Sequence, residues 1–439
     1  MSKNIILKIA LIGNMNNNNF ALLRYFRELG ADVDLYLMSD DGKGDSNHFS
    51  PEHDTWDINK WSKYIKYINV PNRFVSVIGN NFPWNIYFWL KYYLFFFSKR
   101  RDIVIFKPIN RLNLKKELLK YDKIVASGLV PAILQNININ IDVFYPYSLG
   151  VEFVNEHEMQ NLIKNSNFII RKGATLVRNK QVQGILNTKK VINIQMSETE
   201  KVFKKIGKKT IKLQLPIFYR EPKPNFYSKR ISQIFKEIEK FKFRFISHTR
   251  HLWVNNNEIE ENIFELECSK HNDWIIRAFA DYLKLNPKLN SILILSSYGT
   301  DWKNSQKLCR DLNIQKNVIW LPKLPRIEVL EIISICHVGI GEFYSSPKTL
   351  WGGAGLEIMS CGIPLIHSFI FKPGEYEKIY KHKKAPICIA NSQKEILDWL
   401  VKLTRNKVLR EKIGLNSLSW FQHYNGKGLA KKVLKLILE

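Results

Sequence analysis

The stretch that decides the fold runs from Thr349 to Ile366 and reads TLWGGAGLEIMSCGIPLI in one-letter code. It predicts a glycine-rich turn, then a short helix that ends at Gly362, and then a buried strand. Glycines in the turn allow a ligand to approach the backbone closely. Because the first N–H groups of a helix lack partners and carry a partial positive charge, the turn predicts an anion-binding site. Glu357 lies in the helix, within reach of the bound anion.

The order Gly-Gly-x-Gly-Leu-Glu-x-Met-x-x-Gly-x-Pro-Leu-Ile in this stretch resembles the nucleotide-sugar signature of GT-B glycosyltransferases. It is most similar to retaining family 4, the glycosyl transferases group 1. The resemblance implies an α/β fold of two Rossmann-like, doubly wound domains that face a cleft, with a C-terminal helix that crosses back to the first domain. It also implies a nucleotide sugar as donor substrate and no separate cofactor.

The composition indicates a large, strongly basic globular protein. The chain has 439 residues, of which 45% are hydrophobic, and its formal net charge is +27. This length suggests two or three domains with sizeable cores. The charge favours an anionic partner such as nucleic acid, an acidic membrane surface or phosphorylated substrates, although a compositional bias toward Lys and Asn explains it equally well. Under the glycosyltransferase reading we expect no nucleic-acid partner.

The cysteines and the N-terminus favour a cytoplasmic protein without a structural metal. The five cysteines are scattered and form no C-x-x-C pair, as is typical of a reducing compartment. The apolar run Ile5–Ile12 is short and has no cleavage signal, so it predicts a first strand rather than a signal peptide. Asp32 and Asp34 form an Asp-x-Asp pair at the entry of a strand, and we interpret them as structural rather than as metal ligands.

The first half of the chain predicts a doubly wound domain. Strand Ile5–Ile12, a loop with Gly13 and Asn14–Asn19, helix Phe20–Leu29 and strand Val33–Met38 open it. In the GT-B resemblance this loop faces the cleft, so Gly13 is a candidate donor-binding residue. For each asparagine a solvated loop is the favoured interpretation. Further strands are predicted at Asp102–Lys107, Lys123–Ser127, Ile141–Tyr147, Phe168–Ile170, Val191–Ile194 and Ile211–Leu215.

The domain boundary is predicted from proline. The segment from Pro216 to Pro224 is too rich in proline for regular structure. We therefore expect an acceptor domain over residues 1–215, a linker over 216–225, and a nucleotide-sugar-binding domain over 226–439. Strands in this second domain are predicted at Phe243–Ser247, Ser291–Ser296, Val318–Leu321, Val338–Gly341, Pro364–His367 and Pro386–Ile389, with helices at Asp273–Leu283, Arg326–Ile335, Gln393–Leu403 and Leu429–Ile437.

Two basic residues occupy positions that the family uses to hold the donor diphosphate. Arg250 follows the first strand of the second domain, where it matches a Gly-Arg element with Thr249 in place of glycine. Lys270 matches a Lys-Gly…Ala-Phe segment with His271 in place of glycine. Cleavage of a glycosyl–phosphate bond places negative charge on the leaving diphosphate, which an arginine fork and a lysine ammonium stabilise without a metal.

The resemblance supplies the rest of the candidate site. Glu357 corresponds to the carboxylate that accepts the ribose hydroxyls, and Trp320 with Leu321 follows a strand where relatives contact the base through the backbone. His367 ends another strand and is expected to be structural. The catalytic candidates are Arg250, Lys270 and Glu357, and the donor-binding set is Gly13, Arg250, Lys270, Trp320, Leu321, Gly352, Gly353, Ala354, Gly355 and Glu357.

Two departures from the family pattern concern the sugar. The family often has a second glutamate eight positions before Glu357, where this chain has Thr349. Glu342, which follows the strand before the signature, is one residue that could substitute. A His-Gly loop is also replaced, by the segment from Pro146 to Glu152, and the neighbouring His157 falls on a predicted helix.

The segment Phe82–Phe97 predicts an unusual aromatic helix, followed by Lys99, Arg100 and Arg101. It contains too many polar residues to span a bilayer. Two interpretations remain: an interfacial helix on the inner face of an anionic membrane, or a helix covered by its own domain.

Three functions fit these patterns. The first is a metal-independent, retaining glycosyltransferase that acts on a glycan or lipid-linked acceptor, with bacterial surface-glycan assembly as the usual setting of such relatives. The second is a sugar-nucleotide epimerase of the same fold, which needs acid and base carboxylates around the sugar. The third is a basic binding protein with an inactive cleft. Nucleotide release from sugar donors separates the first from the third, and donor isomerisation without acceptor identifies the second.

Overall fold

A computed structural model describes residues 7–38, 50–68, 111–146, 154, 168–193, 197–213, 216–254, 269–344 and 351–439. The chain divides into two compact units. Unit 1 consists of Met1–Tyr219 and Lys427–Glu439, and unit 2 of Arg220–Gly426. The change from the first unit to the second falls in the proline-rich segment, whose residues 216–224 form neither helix nor strand.

Unit 1 contains a parallel sheet of seven described strands in the order β3-β2-β1-β4-β5-β6-β7. Its central strand β1 pairs with β2 and β4, so that Ile9 lies beside Val33 on one side and Lys123 on the other. This order, in which the chain first winds to one side of β1 and then to the other, is that of a doubly wound fold. The strands are β1 Lys8–Ile12, β2 Asp32–Met38, β3 Ile65–Ile68, β4 Lys123–Ala126, β5 Val143–Phe144, β6 Lys190–Asn193 and β7 Ile211–Lys212.

The described helices that precede residue 219 are α1 Asn18–Glu28, α2 Asn59–Ser62, α3 Arg111–Leu118, α4 Val130–Gln135, α5 Phe168–Leu186 and α6 Ser197–Lys205. The strand predicted at Phe168–Ile170 is wrong, because these residues begin α5. The buried positions Ala174, Val177, Gln181 and Ile185 recur every three to four residues, as one face of a helix requires. A run of three apolar residues was too short to reveal that period.

Unit 2 repeats the doubly wound arrangement, with a six-stranded parallel sheet in the order β10-β9-β8-β11-β12-β13. Strand β8 is central and pairs with β9 and β11, and its core residues Phe245 and Ile246 are fully buried. The strands are β8 Phe243–Ser247, β9 Ser291–Ser296, β10 Val318–Leu321, β11 Val338–Ile340, β12 Leu365–His367 and β13 Cys388–Ile389. Its helices are α7 Lys229–Ile238, α8 Asn272–Leu285, α9 Trp302–Asp311, α10 Arg326–Ser334, α11 Gly352–Ser360, α12 Glu375–Tyr380, α13 Gln393–Arg405 and α14 Lys407–Tyr424.

The last helix, α15 Gly426–Leu438, completes the core of unit 1. Its apolar residues Leu429, Ala430, Val433 and Ile437 are buried in a cluster that contains Ile9 and other residues of the first sheet. These positions follow the spacing of three or four residues that places side chains on one helix face. The polar remainder of the helix is exposed, as at Lys431 and Lys435.

Several predicted features lie outside the described residues. They are the Phe82–Phe97 helix with its basic cluster, the strand Asp102–Lys107, His157, Thr349 and the part of the Pro146–Glu152 segment that follows Pro146. Among the helices of the described ranges, each is too short or too polar to cross a bilayer.

Candidate functional site

The topology of the second sheet creates a crevice at one place. Strand β8 has β9 on one side and β11 on the other, and the chain leaves β8 and β11 in opposite directions. At such a switch point the connecting loops diverge, and ligands of α/β proteins bind beyond the carboxyl ends of the strands. The loop that follows β8 and the residues that follow β11 contain Arg250 and Glu342, so these two candidates lie at the crevice.

Arg250 stands in the loop after β8, and the backbone on either side of it is fixed. The carbonyl of Thr249 accepts a hydrogen bond of 2.7 Å from Ser296 Oγ. The N–H of His251 donates to Tyr298 O over 3.0 Å. The Arg250 side chain itself is exposed and makes no hydrogen bond or ion pair within the described part of the chain. Its guanidinium therefore remains available to an anion.

Lys270 precedes α8 and is tied to the same loop. Its N–H donates to Leu252 O over 2.7 Å, and Asn272 Nδ2 donates to Thr249 Oγ1 over 3.0 Å. The side chain is largely buried, with only 14% of it exposed. The ammonium forms an ion pair with Glu342. Burial of a lysine without a partner is costly, and the carboxylate offsets that cost.

Glu342 joins Lys270 to the glycine-rich turn. Its carboxylate accepts hydrogen bonds from Lys270 Nζ and from the hydroxyl of Tyr344. A Cβ placed on Gly352 would stand 2.8 Å from Glu342 Oε2, and the φ of Gly352 is +56°. Only glycine fits this backbone conformation and this approach without strain. The sequence thus uses Gly352 to bring a carboxylate against the start of α11.

Helix α11 begins at the turn that the sequence predicted. Gly352, Gly353 and Ala354 occupy its first turn, where backbone N–H groups have no partner inside the helix. The N–H of Gly355 is already used, since it donates to Trp351 O over 3.0 Å. The anion-binding capacity of the helix start therefore depends on the three residues before Gly355.

Glu357 lies deeper in the unit and has two internal partners. It is 8% exposed, and its carboxylate lies 2.7 Å from His248 Nε2 and 2.8 Å from Arg326 Nε. Burial alone would raise the pKa of Glu357, but the hydrogen bond from His248 and the charge of Arg326 hold it below its ordinary value. Glu357 is therefore ionised at neutral pH and is part of a buried network.

Tyr298 borders this network on the side of the loop after β8. Its hydroxyl donates to His248 O over 3.0 Å. Burial, with the nearby charge of Glu357, raises the pKa of Tyr298 to about 12. The tyrosine consequently stays neutral and acts as a hydrogen-bond donor that fixes the backbone beside Arg250.

Trp320, Leu321 and His367 take structural contacts. The Trp320 ring is half-buried with its centroid 5.5 Å from that of His251. The Leu321 carbonyl accepts from Ser297 N over 2.8 Å. His367 is fully buried, with Nδ1 2.8 Å from Ser368 O, and burial lowers its pKa to about 4. His367 is thus neutral, in keeping with the structural role expected for it.

The loop after β1 in unit 1 differs from the expectation of a solvated loop. Asn14, Asn17, Asn18 and Asn19 are all buried, and their amides form internal hydrogen bonds. Gly13 is engaged as well, because its N–H donates to Tyr36 O over 2.9 Å and its carbonyl accepts from Asn19 Nδ2 over 2.7 Å. The asparagines replace missing backbone partners in a tight loop.

Asp32 and Asp34 also have partners inside unit 1. Asp34 accepts from Lys66 Nζ over 2.8 Å and from the hydroxyl of Tyr121 at the short distance of 2.5 Å. Asp32 forms an ion pair of 2.9 Å with Arg27. These contacts agree with a structural interpretation of the Asp-x-Asp pair.

Sequence reasoning missed three residues of the site in unit 2. His248 and Arg326 hold Glu357, and Tyr344 holds Glu342. His248 stands two residues before Arg250, so its place at a strand end was a usable signal. Arg326 begins α10 and is remote from Glu357 in sequence, and no pattern in a single chain connects the two.

In this site, buried carboxylates pair with basic side chains near the exposed cation Arg250. Lys270 and Glu342 neutralise one another beside the glycine turn, and Arg326 and His248 balance Glu357 beneath it. Arg250 adds an uncompensated positive charge, and the start of α11 adds a partial one. Such a surface can bind an anion of two or more charges while the buried acids fix the geometry of the bases.

The comparisons with known proteins agree with this geometry. Residues 262–420 match the family described as "Glycosyl transferases group 1". The match lies within unit 2 and identifies a glycosyl transferases group 1 domain there. The match includes Lys270, Glu342, the glycine-rich turn and Glu357, while Arg250 precedes it. A comparison of the sequence with curated proteins finds no match.

Solved structures show that the whole chain has the GT-B fold. A glycosyltransferase from Rickettsia africae is 11% identical with a TM-score of 0.53, over 99% of this chain and 98% of that chain. WaaG, a glycosyltransferase involved in lipopolysaccharide biosynthesis, is 14% identical with a TM-score of 0.50, over 98% and 99%. TarM from S. aureus, in complex with UDP, is 11% identical with a TM-score of 0.50, over 99% and 100%. The family match at residues 262–420 identifies a glycosyltransferase domain, and the solved structures agree with its fold.

Proposed function

We propose that the protein transfers a sugar from a nucleotide-sugar donor to a glycan or lipid-linked acceptor in bacterial surface-glycan assembly. The observation that carries this proposal is that Glu342, at the switch point of the second sheet, pairs with Lys270 and lies against Gly352. A cation, a carboxylate and a helix start are the kinds of group that bind a sugar diphosphate. WaaG, whose fold this chain shares, is described as acting in lipopolysaccharide biosynthesis, which supports the setting.

The donor diphosphate binds in this proposal between Arg250, Lys270 and the first turn of α11. As the bond between the sugar and the phosphate breaks, negative charge collects on the leaving diphosphate. The arginine fork and the lysine ammonium are the two cations proposed to stabilise that charge. The helix start contributes N–H donors to the same phosphates.

Glu342 takes the part of the glutamate that the signature lacks at Thr349. Its carboxylate adjoins both Lys270 and Gly352, which supports a role beside the phosphate end of the sugar. When the diphosphate attracts the Lys270 ammonium, the carboxylate is released to accept a hydrogen bond from a sugar hydroxyl. Tyr344 keeps it oriented during this exchange.

The reaction is proposed to be retaining and independent of a metal. The acceptor attacks on the face from which the diphosphate departs, and the leaving phosphate takes the acceptor proton. The two cations provide the charge stabilisation that a metal ion provides elsewhere. Glu357 is proposed to accept the ribose hydroxyls with the lone pairs that His248 and Arg326 leave unused. The nucleobase of the donor is expected near Trp320 and Leu321.

The protein is proposed to work in the cytoplasm, on the inner face of the cell membrane. The support is in the sequence alone: the aromatic Phe82–Phe97 segment precedes three basic residues at positions 99–101. Aromatic side chains favour the headgroup region, and basic residues are attracted to anionic lipid.

A donor screen scored by nucleotide release tests the function. UDP-sugars are the first probes, because the similar TarM structure holds UDP. The proposal expects slow nucleotide release with one donor, accelerated by an acceptor, and its loss in the Arg250→Ala variant. A variant of a remote exposed arginine, Arg310→Ala, is the matched control and should behave as wild type. Isomerised donor without acceptor would instead show an epimerase, and no turnover of any donor would leave a binding protein.

A further inference from the structure

A groove of about 670 Å³ lies on unit 2 between the residues that precede β13 and the last turns of α14. Lys383, Lys384 and Pro386 form one wall, and Asn416, Gln422 and neighbouring residues of α14 form the other. Trp420 of the lining has its ring centroid 5.3 Å from that of Trp351, the residue before the glycine-rich turn. The groove therefore neighbours that turn, but none of its lining residues belongs to the candidate donor site.

The two walls are fixed to each other by hydrogen bonds. Trp420 Nε1 donates to Lys383 O over 2.8 Å, and Ser417 Oγ donates to Pro386 O over 3.0 Å. The rings of His382 and Tyr424 stack with their centroids 4.0 Å apart and their planes 10° from parallel. A groove held in this way is pre-formed, so a ligand does not have to order it.

The lining has a distinct chemistry. None of the lining residues is acidic, and the exposed Lys383 and Lys384 place two adjacent positive charges on the rim. Asn416, Ser419 and Gln422 add exposed amides and a hydroxyl, which both donate and accept hydrogen bonds. The combination suits a ligand that carries negative charges and many hydroxyl groups.

We propose that this groove binds an anionic glycan, a sugar chain that bears carboxylate or phosphate groups. The aromatic rings argue against single-stranded nucleic acid, which needs open ring faces for base stacking. Trp420 is only 6% exposed, and one face of Tyr424 is covered by His382. A lipid surface requires exposed apolar side chains, and the exposed members of this lining are polar.

The groove would hold a polymeric acceptor at a second point while its end is at the donor site. A ligand held at two points binds more tightly than either contact explains, because the second contact is intramolecular. Glycan binding in the groove does not depend on the donor chemistry, since Arg250, Lys270 and Glu357 are not among the lining residues.

The test measures binding of four probes to the full chain by titration calorimetry. Oligogalacturonate carries the sugars and the charges, a neutral malto-oligosaccharide of the same length carries only the sugars, and linear polyphosphate and oligothymidylate carry charge without the glycan. Oligogalacturonate should bind more tightly than each of the other three probes. The double variant Lys383→Gln/Lys384→Gln should weaken it about tenfold or more. Asn416→Ala/Gln422→Ala should weaken oligogalacturonate but leave polyphosphate unchanged.

The matched control is Lys303→Gln/Lys307→Gln, which removes two exposed lysines of α9 and should bind like wild type. Equal losses in the control and groove variants would show general charge attraction and overturn the proposal. So would equal or tighter binding of polyphosphate or oligothymidylate, or no binding of oligogalacturonate. UDP affinity, measured in the same preparations, should not change in the groove variants, so failure of the donor proposal would leave this result intact.

Discussion

The replacement Glu357→Gln distinguishes a buried structural carboxylate from a free ligand-binding one. In the structure this side chain accepts from His248 Nε2 and from Arg326 Nε, at 2.7 and 2.8 Å. A glutamine has one acceptor oxygen and one NH₂ group. It satisfies one of the two donors and turns its own donors toward the other.

The loss is one charge-assisted hydrogen bond and the charge that balances Arg326. A hydrogen bond to a charged group contributes roughly 1.5–3 kcal/mol. For a unit of this size each kcal/mol lowers Tm by roughly 2–4 °C, so a fall of about 3–12 °C is expected. Nucleotide affinity should fall as well if the remaining lone pairs of Glu357 meet the ribose.

The pH dependence has a definite sign. The folded-state pKa of Glu357 is lowered from its ordinary value of 4.5. Its contribution to stability is therefore fully present above 4.5 and is lost as the pH falls through the lower folded value. The difference in stability between wild type and Glu357→Gln should be constant near neutral pH and should shrink in acid.

The assay is thermal unfolding with and without UDP, beside a calorimetric titration of UDP. Glu411→Gln is the control, because Glu411 is 58% exposed and only 3.7 Å from a single exposed lysine. If Glu357→Gln melts like wild type while UDP binding disappears, the internal network is unimportant and Glu357 is a simple ligand. If stability and affinity both stay unchanged, Glu357 has neither role.

Four further predictions concern the diphosphate-binding cations, metal dependence, the glycine-rich turn and the membrane. Arg250 and Lys270 form the proposed diphosphate clamp, and replacement of either by alanine should reduce kcat/KM about hundredfold or more. Arg250→Ala should keep the wild-type Tm, while Lys270→Ala should lower it because Glu342 loses its partner. A change of turnover below about threefold would remove the residue concerned from the clamp. Activity should survive EDTA, and complete loss that Mg²⁺ or Mn²⁺ restores would refute the metal-independent mechanism. Gly352→Ala should weaken UDP binding, since its methyl group would stand 2.8 Å from Glu342 Oε2, and calorimetry with wild-type affinity would contradict the packing of that turn. The wild-type protein should sediment with anionic vesicles at low salt and not at high salt, and the triple variant Phe88→Ser/Tyr92→Ser/Phe95→Ser should not sediment with them. If the wild-type protein does not bind such vesicles at low salt, the proposed membrane contact is wrong.

The sequence predicted unit 2 better than unit 1 for a physical reason. Buried parallel strands read as short apolar runs, and the runs at Phe243–Ser247, Ser291–Ser296 and Val318–Leu321 are strands with those same bounds. Strand β3, Ile65–Ile68, was missed because its exposed and half-buried residues give no such run. The edge of a sheet is covered on fewer sides, so its sequence pattern is weaker.

Some features of the candidate site were likewise predictable from the sequence, and others were not. The turn at Gly352 was predictable because glycine at a helix start has a specific backbone meaning. The pairing of Lys270 with Glu342 was not, since it joins loops that are distant in sequence and depends on how the strands are ordered. The burial of Asn14 and Asn19 was missed for another reason: a run of asparagines looks like a solvated loop unless the partners of each amide are known.

The two cations of the clamp differ in what a diphosphate must do to bind them. Arg250 is exposed and unpaired within the described part of the chain, so its full attraction is available when the nucleotide arrives. Lys270 is already balanced by Glu342, and an incoming phosphate must compete with that carboxylate. While the donor is intact, the interaction that Lys270 gains with the phosphate is largely offset by the loss of its ion pair with Glu342. The exchange becomes favourable as charge develops on the leaving diphosphate, which attracts the ammonium more strongly than a single carboxylate does. By this reasoning Arg250 acts mainly in donor binding and Lys270 mainly in the transition state, so loss of Arg250 should appear largely in KM and loss of Lys270 largely in kcat.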